Sequence, residues 1–165
     1  MSNSLGIRDA LVVDGAGADP RHADVAVEGD RISAVGEVAA NGAREIDADG
    51  LVVSPGFVDI HTLYVGLVTW DSLVAPSYLH GVTSIAIGNC GLGIAPAAPD
   101  KHDWRISLLE GVEDIPGTAL AEGLPWNWET FPEYLEALEA RSYTHDSGAH
   151  LPHAALRTYV MGERG

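Results

Sequence analysis

Residues 51–66 read LVVSPGFVDIHTLYVG, and the reading of this stretch decides the fold. An apolar run, Leu51, Val52 and Val53, meets a Ser54-Pro55-Gly56 turn. A second apolar run, Phe57 to Ile60, ends on His61. Proline and glycine punctuate the backbone, so the pattern predicts two short strands with a break between them. Side chains alternate along a strand, which puts Phe57, Asp59 and His61 on one face and Val58 and Ile60 on the other. A buried strand that carries Asp and His to its C-terminal end is the arrangement an α/β barrel or doubly wound sheet uses at an active site.

Upstream, residues 5–53 read as small antiparallel β structure. Ala10 to Val13 is a short apolar run that stops at Asp14-Gly15. Asp24 to Val27 and Arg31 to Val35 flank a Glu28-Gly29-Asp30 turn, and Ile46 to Val53 contains a further turn at Asp49-Gly50. Nothing in these strands is chemically distinctive. Downstream, Pro76 interrupts residues 66–80, which predicts a turn and a short helix. Val82 to Ile87 is β-branched and apolar, hence a buried strand, and Gly88-Asn89-Cys90-Gly91 closes it. The spacing from Ile60 to Val82 leaves room for a crossover, so the two strands are expected to pair in parallel. Parallel neighbours bring their C-terminal ends to one edge, and His61 and Cys90 would then face one crevice.

Further on, Ile94 to Asp100 reads as a loop. His102 to Glu110 has helical spacing with Trp104, Leu108 and Leu109 on one face, and Glu113 to Trp128 reads as a long irregular segment. Glu129 to Ala140 is the clearest helix. Thr130 is its N-cap, Pro132 sits in the first turn, and Phe131, Tyr134, Leu135 and Leu138 form the apolar stripe. His145 to His150 is polar and mixed, and Ala154 to Met161 fits strand or helix.

The totals narrow the function. A length of 165 residues is that of one ordinary domain, and 46% hydrophobic content supplies a core. Nine basic residues against 24 acidic ones give a net charge of −15, which excludes nucleic acid and anionic membrane surfaces as expected partners. A single cysteine rules out an internal disulfide and fits a reducing compartment. Met1 to Ala10 lacks the basic start and apolar core of a signal peptide, and no apolar run nears the ~20 residues of a membrane helix. The expectation is a cytoplasmic protein.

Two residues carry candidate chemistry from position. A lone cysteine after a buried strand serves either as a small hydrophobe or, as thiolate, as a nucleophile or metal ligand. Thiolate and imidazole are the preferred ligands of zinc, which needs three or four of them, so Cys90 beside His61 suits zinc better than nucleophilic attack. His22, His102 and His145 lie in polar sequence and are read as surface residues. His80 lies near a helix end. The Glu113-Asp114 pair is read as a solvated loop, and Trp126 and Trp128 as core or loop anchors.

The stretch Pro55-Gly56-Phe57-Val58-Asp59-x-His61 resembles the first barrel strand of the amidohydrolase superfamily, where the pattern continues to a second metal-binding histidine. Here that position is Leu63, and Val65 stands where members carry Asp. Gly88-Asn89-Cys90-Gly91, GVEDIPGTALAEGLPW (111–126), WETFPEYLEALE (128–139) and LPHAALRTYVMGERG (151–165), with TWDSLVAPS (69–77) and HGVT (80–83), resemble the N-acyl-D-amino-acid deacylase, or D-aminoacylase, branch. The likeness covers essentially the whole chain but only the first third of such proteins.

That resemblance implies half of a small β-sandwich over residues 1–53 and the first strands and helices of an incomplete TIM-like (β/α) barrel over residues 54–165, an α/β fold. It implies Cys90 and His61 as zinc ligands, with Cys90 in a bridging place, and it puts His153 in a matching stretch where it would line the substrate pocket. The family reaction is amide hydrolysis of an N-acyl-D-amino acid, in which zinc activates water and polarises the carbonyl while a carboxylate moves the protons. In the family that carboxylate and the other histidine ligands come later than Gly165, so no catalytic base is identified here. Two alternatives stay open: a non-catalytic remnant or interaction module of the same fold, and a cyclic-amidase or dihydroorotase-like enzyme. Cys90 and the VEDIP segment (112–116) speak against the latter. An incomplete barrel would leave a sheet edge and apolar faces uncovered, so an oligomer or a completing C-terminal polypeptide is expected.

Overall fold

A computed structural model describes residues 4–39 and 44–164. Residues 1–3 and 40–43 of the expected N-terminal module, and Gly165, lie outside the described residues, as does the side chain of Glu113 in the Glu113-Asp114 pair. The chain divides into two units, Met1–Pro55 and Gly56–Gly165.

The first unit is one sheet. Strands β1 (Leu5–Val12), β2 (Arg21–Glu28), β3 (Arg31–Gly36) and β4 (Arg44–Asp47) stand in the order β3-β2-β1-β4, and β5 (Val52–Val53) also pairs with β1. The β1-β2 and β2-β3 pairs are antiparallel, as the turn signals predicted. β4 and β5 instead run parallel to β1, which corrects the purely antiparallel reading. The reason is topological. β3 already runs in the direction of β1, and β4 takes the other side of β1 in that same direction. The core is small (Ala10, Val12, Val25 and Ala48). Beside it, Arg8 donates to the carboxylates of Asp24 and Glu45. Asp24 also accepts from the backbone N–H of Asp9, the main cause of its lowered pKa.

The second unit holds a three-stranded sheet in the order β6 (Phe57–Thr62), β7 (Val82–Ile87) and β8 (Asp146–Ala149), parallel throughout. The β6–β7 crossover contains two short 3-10 turns, Leu67–Thr69 and Ser77–His80. Three helices fill the β7–β8 crossover: α1 (His102–Glu113), α2 (Gly117–Gly123) and α3 (Phe131–Glu139). Helix α4 (His153–Met161) follows β8. Parallel pairing demands such long connections, because the chain must return to the same end of the sheet each time. Ile85 and Ile87 of β7, Leu109 of α1, Leu120 of α2 and Tyr134 of α3 meet in one core with Ile94 and Trp128. The polar ends of its aromatics are satisfied: Tyr134 Oη donates to Val65 O (3.0 Å) and Trp128 Nε1 to Ile94 O (3.2 Å). Burial pushes the Tyr134 phenol well above its usual range.

Several sequence expectations change here. α2 lies in the segment read as irregular; it is a two-turn helix bounded by Gly117 and Gly123, and glycine at both ends hid it. β8 reads Asp-Ser-Gly-Ala, with none of the β-branched residues that mark a strand, and its place beside β7 makes it one. The buried stripe of α1 is Arg105 and Leu109, while Trp104 is half exposed: its face is rotated by about one residue from the apolar reading. His145 is buried (7% exposed) rather than on the surface, because it leads into β8; its Nδ1 lies 2.9 Å from Thr144 Oγ1. His102 stacks on Trp126 at 3.9 Å between ring centroids. The apolar run of β6 is not buried: Phe57, Val58 and Ile60 are each about two-thirds exposed, since β6 is an edge strand among the described residues. No helix among those residues is long and apolar enough to cross a membrane.

Candidate functional site

Three parallel strands put three C-terminal ends on one edge. Thr62 at the end of β6 and Ala149 at the end of β8 both stand opposite Ile87 at the end of β7. His61 therefore emerges one residue before the edge, and the Gly88–Gly91 loop leaves β7 at that same edge. That turn needs glycine. Gly88 has φ +80°, and a Cβ there would sit 2.6 Å from the carbonyl oxygen of His150. Gly91 has φ +86° and its N–H closes the loop on Gly88 O at 3.1 Å.

The loop is tied on both sides. Asn89 Nδ2 donates to Ile60 O on β6 at 3.4 Å. His150 N donates to Ile87 O, and Ala154 N to Gly91 O, each at 2.9 Å. Cys90 rides on this loop as an exposed free thiol, its Sγ 3.9 Å from Leu92 O. His61 is exposed, and its backbone N–H donates to Asp59 Oδ1 (3.1 Å), which turns the aspartate back onto its own strand. His153 is the exposed first residue of α4, and a Cβ on Gly91 would stand 3.9 Å from its own. All three sequence candidates thus lie toward the C-terminal edge of the sheet, on segments tied by backbone and side-chain hydrogen bonds.

The donor types at this edge fit zinc, for a thiol and an imidazole are its ordinary ligands. The number does not. Among the described residues no group of three His, Cys, Asp or Glu is placed to hold a metal ion. Leu63 is half exposed and inert, and Val65 is packed in the core at 3% exposure, so that position serves packing. Sequence reading missed one charged residue altogether: Arg105, which is buried on the stripe it shares with Leu109 four residues on. The i, i+4 spacing to a core leucine was the available signal.

Comparison with known proteins bears on the family and the fold. Residues 44–165 match the Amidohydrolase family. The chain is 34% identical over 151 residues to a D-aminoacylase of Alcaligenes xylosoxydans xylosoxydans, covering 91% of this chain and 29% of that protein. It superposes on a crystal structure of D-aminoacylase with a TM-score of 0.78 at 35% identity, covering 98% of this chain and 32% of the other. A structure of N-acyl-D-glutamate deacylase from Bordetella bronchiseptica, complexed with zinc and a phosphonate inhibitor, superposes with a TM-score of 0.67 at 30% identity, over 99% of this chain and 32% of that one. The chain spans less than a third of the length of these relatives. It belongs to the amidohydrolase family, and its likeness there runs along the N-terminal part of D-aminoacylase.

Proposed function

We propose that this chain is the N-terminal part of a metal-dependent amide hydrolase of N-acyl-D-amino acids. Its second unit is the opening of a TIM-like (β/α) barrel, and its first is one layer of a β-sandwich. Cys90 and His61 are the metal ligands it contributes, and His153 borders the substrate pocket. One observation carries the reading: parallel β6 and β7 deliver an imidazole and a thiol to the same edge, with the thiol on a loop tied to both neighbours. Zinc held by Cys90, His61 and further ligands would activate a water and polarise the scissile carbonyl. This chain's residues hold the ligand loop in place: Gly88 and Gly91 shape it, and Asn89 fastens it to β6. Further barrel polypeptide beside β6 supplies the remaining ligands and the proton-transferring carboxylate.

A second reading has its own support. Two donors, with Leu63 and Val65 at neighbouring positions of the same stretch, favour a non-catalytic relative that keeps the fold. Hydrolysis of N-acetyl-D-methionine with its L-isomer untouched is the expected result for the enzyme. No release of D-methionine at any zinc concentration, from the chain or from the longer polypeptide that contains it, favours the non-catalytic relative.

A further inference from the structure

The metal-ligand count at the sheet edge does not close within one chain. A closed zinc site takes four nitrogen or sulfur donors and an open one takes three. Cys90 and His61 are two, and among the described residues no group of three His, Cys, Asp or Glu is placed to hold an ion. Both side chains are exposed. Each is one residue from the contact that joins their segments, where Asn89 Nδ2 donates to Ile60 O at 3.4 Å.

The same edge is apolar beside these donors. Ile60, Leu63 and Leu151 are all exposed. Leu63 follows Thr62 at the end of β6, and Leu151 follows His150, whose N–H is bonded to Ile87 O at the end of β7. Asp59, the acid of this stretch, turns its carboxylate back onto the backbone N–H of His61. Such an edge lacks two things, further donors and apolar cover, and a copy of itself brings both. A two-fold axis doubles whatever lies beside it. Two thiolates and two imidazoles are the Cys2His2 set of structural zinc sites. Coordinated thiols are deprotonated, so two of them cancel the charge of Zn2+ and the closed interface traps no net charge.

We propose that zinc joins two copies of this chain through this edge, Cys90 and His61 of each copy forming one Cys2His2 site on a two-fold axis. The inference rests on the reading of these two residues as metal ligands. It adds that, for the chain by itself, a second copy supplies the donors that further barrel polypeptide supplies in a longer one. One edge holds one occupant, so that further polypeptide excludes the dimer. Ile60, Leu63 and Leu151 gain from the second copy the cover that they lack in one chain.

Sedimentation equilibrium of the metal-stripped 165-residue chain, with and without zinc, tests this. A non-thiol reductant excludes a disulfide between two Cys90 thiols. Salt at about 0.15 M screens the repulsion between two chains of net charge −15. Zinc is expected to raise the mass from 17.4 kDa to twice that value, with binding saturating at about 0.5 zinc per chain and EDTA reversing it. Cys90→Ser and His61→Ala, both at exposed positions, are expected to stay monomeric, and His153→Ala to dimerise like the parent. A monomer that takes up one zinc, lost in Cys90→Ser, overturns the shared site and upholds the ligands. A chain that takes up no zinc and stays monomeric also overturns it, and zinc bound by the longer polypeptide then decides separately whether Cys90 and His61 are ligands. A dimer that persists in EDTA, or one that His153→Ala abolishes and His61→Ala spares, overturns it as well.

Discussion

β6 and β7 are neighbouring strands of six residues, both apolar, paired in parallel, and they meet opposite fates. β7 buries Ile85 and Ile87 almost completely, while β6 leaves Ile60 68% exposed. The difference is position. β7 lies between two strands and presents its isoleucines to the helices of the β7–β8 crossover, whereas β6 has a strand on one side only among the described residues. An apolar run therefore states a need for burial, and its neighbours decide whether the need is met. The polar end of β6 is nevertheless well placed: Thr62 is buried and donates to Ala86 O at 3.2 Å, so the strand is anchored at the edge where His61 emerges.

Substitutions can break this contrast. Ile87→Ala removes a fully enclosed side chain from the core, and a loss of about 2–5 kcal/mol is expected in denaturant unfolding. A loss under about 1 kcal/mol would mean that β7 is no better packed than β6. Gly88→Ala forces a Cβ against His150 O in a left-handed backbone, and a loss of about 1–3 kcal/mol is expected in denaturant unfolding.

Smaller effects sharpen it. The Glu133 carboxylate is held below its ordinary 4.5 first by the backbone N–H of Thr130 and then by that of Glu129. A depressed carboxylate contributes stability above its unfolded pKa and loses it as pH falls through the folded value, so this contribution is full at neutral pH and fades on acidification through the lowered folded pKa. Glu133→Gln is expected to lower the unfolding midpoint at pH 7 and to flatten the acid limb of the stability profile. Smallest of all, Ile60→Ala on exposed β6 is expected to stay within about 0.5 kcal/mol of the parent. A loss comparable to that of Ile87→Ala would show that β6 is covered in solution.

Local chemistry made some of this structure legible in advance. Helix α3 carried its own start signal, and Thr130 and Glu133 form the reciprocal cap that the Thr-x-x-Glu spacing encodes. β7 was legible from its β-branched run, and parallel pairing from the length of the crossover. β8 was not, because a strand of Asp, Ser, Gly and Ala exists only through its partner. The parallel β4 was hidden for a similar reason: direction within a sheet is set by connection and not by turn residues. At the edge, crossover spacing alone put the ends of β6 and β7, which lead to His61 and Cys90, on the same side of the sheet. The Gly88–His150 approach that fixes the Cys90 loop was not legible, since it joins residues 62 positions apart. Arg105 was obscured because a charged residue inside an amphipathic helix reads as its wet face.

The central claim is that the edge formed by β6, β7 and the Cys90 loop is a metal-ligating edge. Zinc per chain in the purified protein, measured beside Cys90→Ser, tests it most directly. With the further barrel polypeptide that supplies the remaining ligands present, the account predicts about one zinc per chain in the parent and its loss in Cys90→Ser. No zinc in either protein, or equal zinc in both, would contradict it.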